Sequence, residues 1–446
     1  MYTELKSIDL PTIYRLLVDN NLSIQKAEQE VEVARGKFAS AVGAAFPVIA
    51  PTAIFSYYNG VHPSSTQGVV TADFRALTPA AAIQWVINPG RTIYTIVADE
   101  DRLAAAREQE QSVDNQSMAE AALQFYNLIL AQADVASANA TMRERKEQLR
   151  LANLQFQQGV NIAADVASSR AAYAGSQRDL LLALYHFYRR SAALATTLRI
   201  NPAITLVPRA HHLRLRQLVR TNFTEKQLVI IALKNRPDLQ VAQQYIRAAE
   251  AQQGAVGWGD LGPTMTAGYA VGADTRNAAY TKSPKGGWKN FHYRGFQEGQ
   301  AGIGWKLGLS TFGDIHAAAA LQKISIINAN QVIDNIEQQV VIIQQASAVN
   351  AKLIPIVTSE LSAARYALRT TQANFKNGTA TEVDVLVREA QLAKARSDYD
   401  QAIVEYNESQ IALVAALGLM DAKAMYASGQ SQSHLRNSAA KRIACR

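Results

Sequence analysis

Cysteine is almost absent from this sequence of 446 residues, in which Cys445 is the only one. We therefore expect no internal disulfide, and no acylated N-terminal cysteine in the sequence as given. It also contains no run of 18 or more apolar residues, which excludes an ordinary transmembrane helix. Residues 1–10 lack the basic start and the apolar stretch of a signal peptide. We expect that any export leader is missing from the sequence.

A strong charge of one sign is also lacking. The sequence has 45 Lys and Arg residues against 37 Asp and Glu residues, a net charge of +8. Part of this excess lies in residues 209–220 and in the end of the chain after His434. So mild an excess is typical of solvated helix faces and a loose tail, with anionic lipid or nucleic acid as the alternatives. We expect no nucleic acid partner.

One motif occurs twice along the chain. Phe156-Gln157-Gln158-Gly159 is followed by Asp165-Val166, and Phe375-Lys376-Asn377-Gly378 is followed by Asp384-Val385 at the same spacing. The period is much longer than that of a solenoid repeat. We infer a gene duplication, in which each copy is a whole supersecondary unit and the two copies interleave in one architecture.

The duplication predicts two repeats, a linker and a tail. The first repeat, residues 1–209, comprises a helix (10–45), a hairpin (48–88), a long helix (92–158) and a returning helix (163–198). A basic linker covers residues 210–222. The second repeat, residues 223–420, comprises a helix (224–256), a hairpin (263–310), a long helix (314–377) and a returning helix (381–417). We expect residues 421–446 to be a polar, disordered tail.

Helix-breaking residues are missing from the two long segments, apart from Pro355 in the second. Residues 92–158 contain neither Gly nor Pro and are rich in good helix formers. A continuous helix over this segment is roughly 100 Å long. Pro355 removes one backbone hydrogen bond, so we expect a kink there. The many alanines of the returning helix favour close packing in a thin coiled-coil wall.

Residues alternate between apolar and small or polar in the segments between the helices. Ile303, Trp305, Leu307 and Leu309 alternate with Gly and Lys, and Ile83, Trp85 and Ile87 do the same in the first copy. Segments of about ten such residues suit strands that cross a bilayer. The alternative is a pair of surface hairpins packed on the helices. Four strands cannot close a barrel, so a membrane location requires an oligomer.

Catalytic and cofactor motifs are not found. The histidines have no metal-ligand spacing, and no Gly-rich phosphate loop or nucleophile elbow occurs. We therefore expect no enzyme, no cofactor, and no catalytic, cofactor-binding or metal-binding residue.

The two turn motifs resemble those of the TolC-like outer-membrane efflux proteins. The resemblance spans about residues 7–419 and is most specific at Gly378-Thr379-x-Thr381-x-x-Asp384-Val385-Leu386. It implies an α+β membrane protein whose duplicated helix–hairpin–long helix–helix unit forms a homotrimer. The trimer has a twelve-stranded β-barrel continued by a long α-helical coiled-coil tunnel.

The resemblance also implies a location, partners and a function. The protein is expected in the Gram-negative outer membrane, in contact with its lipid, with the helical domain in the periplasm. It is expected to act as a passive exit duct of a tripartite efflux or type I secretion system. A periplasmic adaptor protein and an inner-membrane pump of the RND or ABC type open it at its helical tip.

Three sets of site residues follow from this picture. The periplasmic gate is Asp165 and Asp384 with Glu382, where the alternative is that each Asp only caps its returning helix. The tip turns that dock the adaptor contain Gly159, Gly378, Thr379 and Thr381. The lipid face of the barrel contains Trp85, Ile303, Trp305, Leu307 and Leu309. Some relatives have a basic residue at the position of Ala380 and a second acidic residue at the position of Val387. We therefore expect fewer polar contacts to hold the gate of this protein shut than in those relatives.

A soluble or periplasmic coiled-coil scaffold or adaptor without a barrel is the alternative function. It explains the long helices but not the alternating segments that contain Trp85 and Trp305. We expect a channel to need detergent and to run as an oligomer, whereas a scaffold would be a soluble, all-helical monomer.

Overall fold

The computed structural model describes residues 4–64, 68–159, 162–209, 214–219, 223–274, 294–306 and 308–420. Part of the linker and the tail after residue 420 thus lie outside the described residues. The first repeat contains these elements: β1 (Leu5–Ile8), α1 (Leu10–Asn20), α2 (Leu22–Gly43), β2 (Val48–Ser64), β3 (Gly68–Ile87), α3 (Pro89–Gln157), α4 (Ala163–Thr197) and β4 (Thr205–Pro208).

The second repeat has the same order of helices and hairpin. It contains α5 (Glu225–Asn235), α6 (Pro237–Leu261), β5 (Thr264–Asp274), β6 (Arg294–Gly304), α7 (Ser310–Lys376) and α8 (Glu382–Ala416). Helix α7 continues through Pro355. The motif that occurs twice in the sequence therefore corresponds to two copies of one structural unit.

Each opening helix consists of two helices, where the sequence predicted one. In the second repeat the break is at Arg236, with an extended ψ of 124°, because the proline that follows disfavours the helical conformation. In the first repeat the break is at Asn21. The Asn21 Oδ1 accepts hydrogen bonds from the backbone N–H groups of Ser23 (2.8 Å) and Ile24 (3.3 Å). Asn21 thus begins α2 as a helix N-cap.

The two hairpins join into one antiparallel sheet. Its strand order is β2-β3-β5-β6, so β3 of the first repeat pairs with β5 of the second. The register sets Ile83 opposite Tyr269 and Ile87 opposite Met265, and Met265 is opposite Ile303. Directly opposite residues of a sheet point to the same face. The apolar residues of the three strands therefore share one face, as their alternation predicted.

Strand β6 is shorter than the sequence predicted. It ends at Gly304, whose partner on β5 is Thr264. The partner strand cannot continue, because Gly262 and Pro263 precede it and proline has no backbone N–H to donate. Trp305 and Leu309 therefore follow the strand, and Leu307 lies outside the described residues.

A short parallel pair, which the sequence did not predict, joins the ends of the first repeat. Leu5–Ile8 pairs with Thr205–Pro208. Four residues are too few to show a period, and the pairing partner lies 200 residues away. A sequence pattern therefore gives little indication of such a contact.

The chain forms two compact units that each take residues from both repeats. Unit 1 comprises residues 1–30, 107–241 and 330–446, and unit 2 comprises residues 31–106 and 242–329. In unit 1, Leu17 of α1, Leu128 of α3 and Leu194 of α4 are fully buried in one hydrophobic cluster. A second cluster packs α5 against α7 through Ala232 and Ile336. The sheet belongs to unit 2.

Helix α7 is unusually apolar. By length and composition, its segment Ser310–Phe375 could cross a membrane, with a mean hydropathy of 1.5 in a window of 18 residues. Only 17% of that window is buried. The sequence criterion of an unbroken apolar run had excluded this helix, because its apolar residues alternate with polar ones.

Candidate functional site

Two glycine turns connect the long helices to the returning helices. Gly159 has a φ of 73° and Gly378 a φ of 77°, the left-handed region in which a residue with a Cβ is strained. At the second turn, Gly378 N donates to the Phe375 carbonyl (3.0 Å) and Thr379 N to that of Asn374 (2.9 Å). This is the Schellman arrangement that ends a helix. Both tip glycines thus have a conformational role.

Asp384 caps the returning helix of the second repeat. Its Oδ2 accepts hydrogen bonds from the Thr381 backbone N–H at 2.9 Å and from the Thr381 hydroxyl at 2.6 Å. In return the Thr381 Oγ1 accepts from the Asp384 N–H at 3.2 Å. This reciprocal capping box fixes the side chain at the first turn of α8.

The first repeat has half of this arrangement. The Asp165 Oδ2 accepts a hydrogen bond from the Ile162 backbone N–H at 3.2 Å. Since Ile162 has no side-chain acceptor, the return bond cannot form. Both aspartates therefore perform the capping role. The capping role leaves the proposed gate role of their charges open, because a capping carboxylate keeps its charge.

The electrostatics of Asp384 favour the ionised carboxylate. The hydrogen bonds from Thr381, side chain first and backbone second, lower the pKa of Asp384, and Arg388 lowers it further. The group is exposed to solvent and negative at neutral pH. Helix α8 begins at Glu382, but the side chain of that residue lies outside the described residues. The described hydrogen bonds and ion pairs include none between Asp165 and Asp384.

The sheet presents the candidate lipid face. Ile83, Tyr269 and Ile303 are 48%, 49% and 57% exposed on that face. Trp85 lies on the same face of β3, and its Nε1–H donates to the Ala45 carbonyl at 2.9 Å. This bond fixes the half-buried indole beside the end of α2.

Three pairs of polar residues on α3 and α8, which sequence reasoning missed, lie along what we call the α3–α8 seam. Arg145 forms an ion pair with Glu389, and Asn127 donates a hydrogen bond to Glu408. Between them, Asp134 is close enough to Asp400 for its charge to raise the pKa of Asp400. The residue numbers of each pair add up to nearly the same value, so the helices run antiparallel. On α3 the three positions are 11 and 7 residues apart, close to whole numbers of helical turns. That spacing was the one sequence signal for the seam, but it also fits a solvated face.

Burial shifts the pKa values of the seam carboxyls upward. Burial and the neighbouring Glu405 raise the pKa of Glu408 to about 7, although the charge of Arg190 lowers it in part. Burial also raises the pKa of Asp134, opposed by His186. Burial and the charge of Asp134 raise the pKa of Asp400, opposed by Arg396. Two of the three positions in the seam therefore hold carboxyls in unfavourable surroundings.

Metal-binding geometry does not occur in the part of the chain that the structure describes. No group of three or more His, Cys, Asp or Glu side chains there could hold a metal ion.

Comparison with known proteins supports the resemblance to a family. Residues 228–419 match the family model described as "Outer membrane efflux protein". The second repeat is thus similar to the outer membrane efflux proteins over these residues. A search of curated proteins found no match for the chain.

Solved structures extend the likeness in fold to most of the chain. The CmeC outer membrane channel of Campylobacter jejuni has a TM-score of 0.80 at 13% identity, covering 96% of this chain and 89% of that chain. The outer membrane protein VceC of Vibrio cholerae has 0.76 at 17%, covering 92% and 96%. The open MtrE outer membrane channel of Neisseria gonorrhoeae has 0.72 at 17%, covering 92% and 89%.

The family and the fold agree with the sequence analysis. The α+β fold class and the resemblance to the efflux protein family are confirmed. The family match favours the outer-membrane exit duct over the soluble coiled-coil scaffold. Proteins of this family are channels that work with adaptors and pumps.

Proposed function

We propose that this outer membrane efflux protein is one subunit of a homotrimeric, passive exit duct. The observation that carries the proposal is the four-stranded sheet, whose edge strands are β2 and β6. A sheet with open edges leaves backbone N–H and C=O groups unpaired in lipid. Three copies that pair β6 with the next β2 satisfy these groups in a barrel of twelve strands.

Exposed side chains on α7 support an oligomer. Ile342, Val349 and Ile356 lie seven residues apart and are 56%, 63% and 62% exposed. A repeat of seven places them in one stripe, as in the seam of a coiled coil. In the proposed trimer a neighbouring subunit covers this stripe. This accounts for the high hydropathy of α7 without a helix that crosses the membrane.

Purification and conductance test the duct. We expect the protein to require detergent, to have the mass of a trimer by light scattering, and to form discrete conductance steps in planar bilayers. A soluble, helical monomer without strand signal in circular dichroism would contradict the proposal and support the scaffold.

The periplasmic gate is proposed at the first turns of α4 and α8. Trimer symmetry repeats Asp165 and Asp384 around the entrance, where Glu382 would add further carboxylates. Carboxylates at about 6 Å repel by roughly 0.7 kcal/mol per pair in bulk water, so a ring attracts cations. We expect Asp384→Ala to raise the leak conductance. If conductance and cation selectivity are unchanged, Asp384 acts only as a helix cap and not as part of a gate.

The tip turns are proposed to dock a periplasmic adaptor through Gly159, Gly378, Thr379 and Thr381. The adaptor joins the duct to an inner-membrane pump of the RND or ABC type, which supplies the energy. Candidate adaptors are those encoded beside this protein. We expect such an adaptor to cross-link to a Thr379→Cys variant and not to an Arg178→Cys variant, whose position is an exposed one on α4. Equal cross-linking at both positions would contradict docking at the tip.

A further inference from the structure

A groove lies between α3 and α6 where these helices adjoin the sheet. Helix α3 begins two residues after β3, and α6 ends three residues before β5. The groove has a volume of about 700 Å³ and a mostly apolar lining. Its lining includes Ile93, Tyr94 and Val97 of α3, and Arg247, Glu250 and Trp258 of α6. All these residues belong to unit 2. We call this feature the α3–α6 groove.

Two glycines let the aromatic side chains of the groove lie against the opposite helix. A Cβ on Gly90 of α3 would lie 2.2 Å from the Trp258 ring of α6. A Cβ on Gly254 of α6 would lie 2.7 Å from the Tyr94 ring of α3. Both distances are far below the roughly 3.5–4.0 Å at which carbon atoms pack. Each ring therefore packs on the backbone of the other helix, and both rings remain exposed along the groove.

The first turns of α3 have an apolar side and a polar side. Ile93 and Val97, on the side of the groove, are 61% and 40% exposed. On the other side, Arg102 forms an ion pair with Asp99 at 2.6 Å and donates a hydrogen bond to Gln252 at 3.1 Å. Exposed apolar surface of this kind marks a site of interaction with an apolar partner.

Exposed apolar side chains continue from the sheet onto the ends of the helices. Those at the junction are Phe46, Ile93, Trp258, Leu261, Leu309 and Phe312. Along β6, away from the junction, alternate residues share the face of Ile303. They are Ala301, Gly299 and Gln297, which are small or polar. The apolar surface thus extends past the sheet and includes the α3–α6 groove.

Charged residues end the groove on the side away from the sheet. Arg247 and Glu250 are both exposed there. Their charges act on Asp101 of α3, as does that of its neighbour Glu100. Glu250 accepts a hydrogen bond from Gln322 Nε2 of α7 at 3.3 Å. Among the described residues, the Arg247 guanidinium has no hydrogen bond or ion pair. This end thus combines a guanidinium that has free donors with several carboxylates.

The length of the groove matches one leaflet of a membrane. Leu261 and Arg247 are 14 residues apart on α6, about 21 Å along the axis. A bilayer is about 40–45 Å thick with its headgroups, so one leaflet is about 20–22 Å thick. A lipid whose acyl chain lies against Trp258 therefore has its headgroup near Arg247. A guanidinium binds phosphate well, and a carboxylate binds an ammonium group.

We infer that the α3–α6 groove binds a membrane phospholipid with a zwitterionic headgroup. The acyl chain lies along Ile93, Val97 and Trp258. The phosphate accepts hydrogen bonds from Arg247, and the ammonium group contacts Glu250. An anionic headgroup would place its charge among the carboxylates without such compensation. The inference goes beyond the exit duct but rests on the proposed membrane location of the sheet. Such a lipid fixes the depth at which the duct sits in the membrane.

Lipid titration of the purified protein, followed by native mass spectrometry, tests the groove. The probes are phosphatidylethanolamine, which is zwitterionic, and phosphatidylglycerol, which is anionic. We expect the wild type to bind phosphatidylethanolamine about tenfold more tightly, because the carboxylates repel the anionic headgroup. Arg247→Gln should weaken the binding of both lipids about tenfold, because it removes the charged donor to the phosphate. Glu250→Gln should reduce the preference for phosphatidylethanolamine.

A bulky side chain in the groove tests the position of the acyl chain. Val97→Trp should fill the groove and weaken the binding of both lipids. Tyr245→Trp is the matched control, because Tyr245 is 52% exposed and lies two residues before Arg247, on another side of α6. It should bind both lipids as the wild type does. Wild-type binding of phosphatidylethanolamine in Arg247→Gln or in Val97→Trp would overturn the inference, as would equal affinity of the wild type for the two lipids.

The binding measurement is independent of conduction. If the wild-type protein forms no conducting channel but binds the lipids as expected, the exit duct is wrong and the groove is supported. A conducting trimer without this pattern of binding overturns the groove alone. Arg247→Gln and Glu250→Gln alter exposed side chains, so they decide the question if Val97→Trp fails to fold.

Discussion

Single carboxyl groups in this protein differ sharply in their surroundings. Asp384 is exposed and held ionised by Thr381, whereas Glu408 is partly buried and has a pKa of about 7. The capping motif around Asp384 was visible in the sequence because its partners are three residues apart. The surroundings of Glu408 come from Asn127, 281 residues away, so the sequence could not predict them.

Conservative substitutions separate the two roles of Asp384. Asp384→Asn keeps a side-chain oxygen for the Thr381 N–H and removes the charge. We expect lower cation selectivity with little change in melting temperature. Thr381→Val keeps the charge but removes the acceptor for the Asp384 N–H, so the melting temperature should fall while selectivity stays. Reversal potentials in a salt gradient and thermal unfolding measure the two effects. Equal selectivity in all three proteins would contradict a charged gate.

Glu408 is expected to make stability depend on pH. Its pKa is higher in the folded protein, at about 7, than in the unfolded chain. The stabilising contribution of the protonated group is therefore present below the unfolded pKa and is lost as pH rises through about 7. Glu408→Gln keeps an acceptor for Asn127 and removes this dependence. Because the group is partly exposed, we expect a gain of about 1 kcal/mol at about pH 8 and little gain at about pH 5.

Melting temperatures across this pH range check the prediction for Glu408. Glu360→Gln, at an exposed position of α7, is the control and should leave the pH profile unchanged. Identical profiles for the wild type and Glu408→Gln would show that the carboxyl does not titrate in this range.

Helices and their ends show how far local rules determine the elements. The long helices and both tip turns were predicted because Gly, capping residues and helix formers act over a few neighbouring positions. The break at Asn21 was missed, although Asn is a favoured N-cap, because the residues around it fit a helix as well. The seam was missed because the alignment of α3 with α8 depends on the whole fold.

The returning helices end in the same way with different residues. Arg199 after α4 has a φ of 57°, and Gly418 after α8 has a φ of 67°. Ile200 N donates to the Ala195 carbonyl at 2.8 Å, and Leu419 N donates to that of Val414 at 3.1 Å. Both turns are Schellman motifs, but only the second has the residue best suited to it.

This contrast gives a paired prediction on stability. Arg199→Gly should raise the free energy of unfolding by about 0.5 kcal/mol, because glycine removes the left-handed strain but costs unfolded-state entropy. Gly418→Ala should lower it by about 2 kcal/mol or more, since its Cβ would also lie 2.7 Å from the Asn235 carbonyl oxygen. Thermal unfolding measures both changes. If Arg199→Gly instead lowers the free energy of unfolding, the arginine side chain stabilises the fold by more than its left-handed backbone conformation destabilises it.

At the scale of the whole molecule, the sheet determines where the protein can reside. The alternation in the sequence predicted its apolar face. The joining of the two hairpins through β3 and β5 came from the fold, because strand neighbours from different repeats carry no short-range signal. The end of β6 likewise depends on its partner strand.

Arginine on either face of β3 tests the membrane location. Ile83 lies on the apolar face, and Gln84 lies next to it on the opposite face. Ile83→Arg should destabilise the inserted protein by about 2–4 kcal/mol if this position is near the bilayer midplane, and by less near the interface. Gln84→Arg should insert normally. The yield of folded, inserted protein after refolding into liposomes compares the two. Similar yields would argue against a lipid-facing role for this face.

Ile8 and Met420 are both buried in the same hydrophobic cluster of unit 1. Residues near the two ends of the described chain thus belong to one hydrophobic cluster, and the repeats are connected through residues 209–223. A circularly permuted chain that starts with the second repeat, continues through a short peptide into the first, and is cut within that connection should build the same fold. The order of the two repeats along the gene is then a record of their history and not a requirement of folding.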